Sequence, residues 1–270
     1  MGRYIAVMND NQINLVNYIQ KYIEYPEIIT ELKNVIPSNL IVGSNESDTI
    51  NISNNSNVTV IAGAGDDIIN ANDGNDLVYA GSGNDTIYGG DGDDTIYGEA
   101  GDDILNGDNG NDKLYGGVGN DTLNGGYGND TYYFELGDGE DTIYDDGEYV
   151  NGDRIVFGKG ISPENISLER IGNDLVIKYS EVDKVTVKNA YGYKKYCGYG
   201  YYFVENIEFS DGTVWNKDKL IELISIKTGT AGNDVLTGYE GTDVYNRNET
   251  FYAGAGDDII NANDGNDLVY

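Results

Sequence analysis

From Ala62 to Tyr133 the chain repeats a nine-residue unit eight times without a gap. The first copy reads Ala62-Gly-Ala-Gly-Asp-Asp-Ile-Ile-Asn70, and a later one reads Gly89-Gly-Asp-Gly-Asp-Asp-Thr-Ile-Tyr97. A fixed period constrains the fold more than any composition does, because each unit must bury its apolar residue against copies of itself. Position four is always glycine: Gly65, Gly74, Gly83, Gly92, Gly101, Gly110, Gly119 and Gly128. Position five is always Asp or Asn. Position six is always aspartate: Asp67, Asp76, Asp85, Asp94, Asp103, Asp112, Asp121 and Asp130. Position eight is large and apolar or aromatic: Ile69, Val78, Ile87, Ile96, Leu105, Leu114, Leu123 and Tyr132.

The first six residues of each unit are dominated by Gly, Asp and Asn, which favour turns and positive φ. The last three, such as Thr95-Ile-Tyr97, read as a short strand whose middle side chain faces away from its neighbours. A turn and a strand in alternation wind into a parallel β-roll, an all-β solenoid in which two units complete a coil and every second unit stacks. Position eight then points inward, and positions seven and nine point out. The position-six aspartates line each edge of the roll, where their mutual repulsion opposes folding unless a cation intervenes. Carboxylates and turn carbonyls converging in this way form the hard-oxygen shell that Ca²⁺ takes.

These residues, at this spacing, resemble the RTX family of haemolysin-type calcium-binding nonapeptide repeats across about half the chain. The resemblance implies Ca²⁺ as the cofactor, each ion sitting between one loop and the loop two units on. Asp67 would pair with Asp85, Asp76 with Asp94, and so on to Asp112 with Asp130, giving about six ions completed by backbone carbonyls. Further ligand candidates lie outside the eight units. Asp141 follows a register slip, in Gly137-Asp-Gly-Glu-Asp141, and Asp234, Asp243, Asp258 and Asp267 belong to a later repeat block.

Four segments follow from the pattern. Residues 1–42 carry apolar stripes at Ile13, Val16 and Ile23, and at Ile28, Leu32 and Val35, which predict short helices ending near Pro26 and Pro37. Residues 43–144 form the roll, opening on the degenerate unit Gly43–Asn51, which keeps Asp48 and Ile50. Residues 145–227 read as a small β-rich domain. Its strands are expected at Arg154–Phe157, Ile166–Leu168, Leu175–Ile177, Val185–Val187 and Phe203–Phe209, with hairpin turns at Gly172-Asn-Asp174 and Asp211-Gly212. Trp215 is expected in its core, and Asn216 at the cap of a helix through Leu220 and Ile224. The runs Gly158–Leu168, Asn173–Ile177 and Ile207–Trp215 resemble the haemolysin-type calcium-binding related domain, which implies that this segment continues or caps the sheets. Residues 228–270 resume the repeats, broken at Arg247–Tyr252, and Ala253–Tyr270 is identical to Ala62–Tyr79. The repetition, cut off within a second copy of the longer repeat, predicts a fragment of a longer tandem protein.

Position nine carries Tyr79, Tyr97, Tyr115 and Tyr133 on alternate units, hence on one sheet. A tyrosine ladder is expected there. It stiffens the sheet or offers a face to a glycan or another chain. The tract Tyr191–Tyr202, rich in Tyr, Gly and Lys, reads as a glycine-kinked loop.

The chain of 270 residues has a formal net charge of −31. That balance excludes nucleic acid as a natural partner and argues against docking on anionic membranes. No stretch is apolar and long enough to span a bilayer, and direct membrane insertion is not expected. Cys197, the one cysteine, permits no internal disulfide and reads as a packed small residue. The N-terminus lacks the apolar run of a signal peptide. RTX resemblance implies a secreted, extracellular or cell-surface protein exported by a one-step (type I) route that reads a C-terminal signal, for which no tail is seen here.

There is no histidine, which removes Ser-His-Asp and Cys-His sites and His-based zinc hydrolases. The chain reads as no enzyme. The leading expectation is a secreted calcium-binding roll that folds on extracellular Ca²⁺ as a structural and secretion module of a larger exoprotein. The alternatives are a calcium-rigidified adhesin or surface-layer segment, and the non-catalytic part of a secreted hydrolase or toxin.

Overall fold

The computed structural model describes residues 39–53, 55–144, 152–190, 204–238, 248–263 and 265–270. Among these residues the protein is almost wholly β, with one α-helix, Lys217–Ile224, and one 3₁₀ turn, Pro163–Asn165. The expected helices of the N-terminal segment, the Tyr191–Tyr202 tract, Cys197 and Asp243 lie outside the described residues.

Two nine-stranded sheets form the body. One runs through Leu40–Val42, Thr59–Ala64, Leu77–Ser82, Thr95–Ala100, Lys113–Val118, Thr131–Phe134, Arg154–Phe157, Asn206–Phe209 and Val214–Asn216. The other runs from Thr49–Asn51 through Ile68–Asn70, Thr86–Asp91, Ile104–Asn109, Thr122–Tyr127, Glu140–Ile143 and Lys184–Val187 to the hairpin of Asp174–Lys178 and Ser167–Ile171. Within the roll, pairing is parallel at an offset of eighteen, as in Leu77↔Thr95, Val78↔Ile96 and Tyr79↔Tyr97. Every second unit therefore stacks, as a nine-residue half-coil requires.

The eight position-eight side chains, Ile69 to Tyr132, are 0 % exposed and form one core between the sheets. Alanines at position one, Ala62, Ala71 and Ala80, join that core. The strands are longer than the three residues read from composition. Most span six, because ladder pairing continues through positions one to three, as in Gly81↔Glu99 and Ser82↔Ala100. Stacked neighbours bend identically, so their backbone groups still meet although glycines there have positive φ.

The sheets do not stop where the repeats do. Arg154–Phe157 pairs in parallel with Thr131–Phe134, and Lys184–Val187 with Glu140–Ile143. Strands within residues 152–190 and 204–216 thus prolong both sheets. The hairpins Ser167–Lys178 and Asn206–Asn216 then turn the outermost strands antiparallel. Phe134, Phe157, Tyr179, Phe209 and Trp215 fill the wider core there, with ring centroids 5.0–6.3 Å apart. Asn216 caps the helix, its side chain accepting from the Lys219 amide at 3.0 Å.

Three strands fall where none was expected. Leu40–Val42 pairs with Thr59–Ile61, so the roll begins inside what reads as the N-terminal segment. Ile226–Thr228 and Thr250–Tyr252 pair with each other, and the latter with Leu268–Val269. The supposed break at Arg247–Tyr252 thus contains a strand of the second roll, with Phe251 buried in the position-eight place. Val235–Thr237 and Ile259–Asn261 make the opposite sheet of that block.

Candidate metal centre

Each position-six aspartate sits at the mouth of a strand, where its backbone leaves the turn. Position four has φ between 115° and 155° in all eight units, a region that only glycine enters without strain. A Cβ there would also overlap the carbonyl of the unit stacked beneath, as at Gly101 over Gly83. Position two also has positive φ, but in Asn72, Glu99 and Asp108 it lies at only 64–77°, where other residues fit. This explains why glycine is invariant at one place and optional at the other.

The turns fix the aspartates in two ladders. On one edge the Asp67 amide donates to Asp85 Oδ1, Asp85 to Asp103, Asp103 to Asp121 and Asp121 to Asp141, at 2.7–2.9 Å. On the other the amides of Val58, Asp76, Asp94 and Asp112 donate to the Oδ1 of Asp76, Asp94, Asp112 and Asp130, at 2.7–2.8 Å. One carboxylate oxygen is thereby used at every level. The other, Oδ2, is buried with no hydrogen-bond partner in Asp67, Asp76, Asp85, Asp94, Asp103, Asp112, Asp121 and Asp141.

Such oxygens are costly to bury charged. Burial pushes Asp94, Asp103, Asp121 and Asp141 up to about 7, and Asp67 and Asp76 up to about 6. Asp112 reaches about 8, because burial outweighs the Asp94 amide that holds it down, and Asp130 and Asp94 add repulsion. Asp85 is raised as well, again chiefly by burial.

The exposed position-five residues form a contrasting ladder. Asn84 and Asn120 alternate with Asp66 and Asp102: the side chains of Asp66, Asn84 and Asp102 accept from the amide eighteen residues on at 2.8–2.9 Å, and that of Asn120 from the Glu140 amide at 3.1 Å. Neutral amides separate the charges where water alone surrounds them. At position six no such dilution occurs.

Among the described residues, no three acidic, histidine or cysteine side chains converge on one point. A cation at this edge therefore draws further ligands from backbone carbonyls. The space next to each Oδ2 supplies them. A Cβ on Gly89 would overlap Asp94 Oδ2 and press on the Gly107 carbonyl oxygen. On Gly98 it would meet Asp103 Oδ2 and the Gly116 carbonyl, and on Gly107 Asp112 Oδ2 and the Gly125 carbonyl. Oxygens from two stacked units thus face one small volume beside a glycine. The residues present fit a hard divalent ion of the calcium kind, which would be held by Oδ2 and carbonyl oxygens and would neutralise the ladder.

The sequence that builds this geometry is matched by family models. The RTX calcium-binding nonapeptide repeat matches residues 59–87, 79–114, 106–143, 228–247 and 245–270. The haemolysin-type calcium binding protein related domain matches residues 174–219. The chain carries RTX calcium-binding repeats in two blocks, residues 59–143 and 228–270. RTX repeats of this kind bind Ca²⁺, and the chain is a calcium-binding β-roll module. The iron-regulated protein FrpA of Neisseria meningitidis serogroup C is 40% identical over 118 residues, which are 43% of this chain and 10% of that protein. The chain spans about a tenth of that relative's length. The extracellular lipase LipA of Serratia marcescens aligns over 55% of this chain and 37% of the lipase, at 19% identity and a TM-score of 0.24.

Beyond the eight units, the later candidates take different places. Asp141 ends its ladder, after the two-residue slip that makes Thr142 pair with Thr122. Asp258 and Asp267 accept from the amides of Asp234 and Glu249 at 3.0 and 2.8 Å, rebuilding the ladder in the second block. Asp234 differs, since both the amide and the hydroxyl of Thr230 donate to its Oδ2. Two carboxylates that sequence reading passed over extend the other edge. The Asp130 amide donates to Asp153 Oδ1 at 2.7 Å, and the Asp153 amide to Glu205 Oε2 at 3.0 Å. The signal for both is an acidic residue directly before Arg154–Phe157 and Asn206–Phe209, the place aspartate holds before every roll strand.

Proposed function

We propose that the chain is a calcium-folded structural module of a larger secreted protein, stiff when loaded outside the cell and loose where calcium is scarce. The supporting observation is the pair of ladders in which buried Oδ2 atoms stand unpartnered level after level. Asp67, Asp76, Asp85, Asp94, Asp103, Asp112, Asp121, Asp130 and Asp141 are the proposed ligands of the first roll. Asp258 and Asp267 are those of the second, with Asp243 carried from the sequence pattern. In this reading residues 43–144 are the first roll, 145–227 its closing β domain and 228–270 the start of another.

Calcium binding is then part of the folding free energy, because the unfolded chain holds no such shell. Far-UV circular dichroism during a calcium titration from chelator, with magnesium as control, tests this. The expected outcome is a cooperative gain of sheet with calcium alone. A spectrum already sheet-like in chelator, and unmoved by calcium, would defeat the reading.

The repeat families matched are non-catalytic modules, and any activity of the larger protein belongs outside these residues. Among the described residues, no helix is long and apolar enough to cross a membrane. A second reading, a calcium-rigidified adhesin or surface-layer segment, rests on the tyrosine stack. Tyr79, Tyr97, Tyr115 and Tyr133 stand half-buried on one sheet with centroids 4.1–4.8 Å apart.

A further inference from the structure

The opening unit of each repeat block satisfies its aspartate without an ion. In Gly43–Asn51 the Ser44 amide and hydroxyl donate to Asp48 Oδ2 at 2.7 and 2.8 Å. In Gly229–Thr237 the Thr230 amide and hydroxyl donate to Asp234 Oδ2 at 2.6 and 3.0 Å. Each hydroxyl also accepts an amide from two residues on, Glu46 at 3.2 Å and Gly232 at 3.1 Å. The two turns differ in sequence, Gly43-Ser-Asn-Glu-Ser-Asp against Gly229-Thr-Ala-Gly-Asn-Asp, yet they build one arrangement.

Inside the first roll, position two is Gly63, Asn72, Gly81, Gly90, Glu99, Asp108, Gly117 or Gly126. None carries a hydroxyl, and all have positive φ. Ser44 and Thr230 are absent from the positive-φ residues. The change of backbone hand goes with an amide that points at the carboxylate of its own unit, and the side chain adds a second donor. In the six roll units with Oδ2 partnerless from Asp67 to Asp112, that pair of donors is missing.

We propose that Ser44 and Thr230 stand in for the cation, making residues 43–51 and 229–237 the calcium-independent first unit of each array. This rests on the reading of the position-six aspartates as calcium ligands. Two hydrogen bonds to a carboxylate oxygen supply much of the compensation that an ion supplies elsewhere. Each roll then starts from a preformed half-coil on which the calcium-dependent units stack. A repeat array needs such an end, because among the described residues its first unit has a stacked neighbour on one side only. Ser44 and Thr230 thus determine which aspartates are closed to calcium.

The test counts calcium bound to the full 270-residue chain, by equilibrium dialysis and by calorimetry. Asp48→Asn with Asp234→Asn is expected to leave the count unchanged, whereas Asp85→Asn with Asp103→Asn lowers it. Ser44→Gly with Thr230→Gly is expected to raise it, because the carboxylates are then uncovered. The proposal is overturned if the first pair loses ions as the second does, or if the glycine pair leaves the count as it was. A wild-type chain that binds no calcium would defeat the calcium reading itself, and a folded chain with calcium-sensitive Asp48 would defeat only this proposal.

Discussion

Glycine at position four and aspartate at position six are invariant for different physical reasons, and the two separate experimentally. Gly101 has φ 141° and no room for a Cβ over the Gly83 carbonyl, while the neighbouring Glu99 already lives at φ 77°. Gly101→Ala should therefore cost about 2–3 kcal/mol of the calcium-saturated fold, from backbone strain of roughly 1–3 kcal/mol and the overlap. Glu99→Gly should move stability by less than about 1 kcal/mol, trading relieved αL strain for chain entropy. Urea unfolding at saturating calcium measures both, and equal losses would contradict this account. Asp103→Asn belongs to the other class. Its Oδ1 still accepts the Asp85 amide, which is 2.7 Å away, so the ladder persists while a charged ligand is lost. The expected result is a higher calcium requirement with little change in the loaded fold, read as a shifted midpoint in the titration.

At the scale of strands, the tyrosine ladder has a structural role that accounts for its geometry. Rings at 4.8, 4.4 and 4.1 Å with planes within 18° of parallel are stacked along the sheet, each on the tyrosine eighteen residues away. Tyr97→Ala with Tyr115→Ala removes all three contacts. At about 0.5–1.5 kcal/mol per aromatic pair, the loss should come to roughly 2–4 kcal/mol, with the calcium count unchanged. If the adhesin reading holds, the same variant loses binding in a glycan array or cell-adhesion assay. A stiffening role predicts loss of stability alone.

The inward row, the stacking of alternate units and the edge placement of the aspartates were all legible in the sequence, because a strict period of nine repeats one geometry. What was not legible lies where the period fails. Asp153 and Glu205 continue a ladder at separations of 23 and 52 residues in place of 18, which hide the spacing but leave the pairings of Asp130 to Asp153 and of Asp153 to Glu205 intact. Thr250–Tyr252 keeps its place in the second block although the sequence before it has lost the repeat pattern. Strand length was underestimated for a related reason. Local composition says turn at positions one to three, whereas stacked copies supply hydrogen-bond partners that a single unit cannot.

Across the whole molecule, the charge ladders make the metal-free roll sensitive to acid in the direction opposite to most proteins. An aspartate with a pKa of 3.8 in the open chain titrates at about 6 to 8 in the folded, metal-free ladders, because burial disfavours its charge. Between about pH 4 and pH 8 the folded state thus binds more protons than the unfolded one. Stability then falls as pH rises through that window, and is recovered as pH drops. Chelated protein at pH 8 should be largely unfolded, and acidification to about pH 5 should restore sheet without any metal, as far-UV circular dichroism in chelator would show. Calcium reverses the dependence. Protons and calcium compete for the same oxygens, so the calcium midpoint should rise as pH falls. Chelated protein that loses sheet on acidification would mean that the buried carboxylates are charged and paired in the metal-free fold. The ladders would then owe their stability to something other than a bound cation.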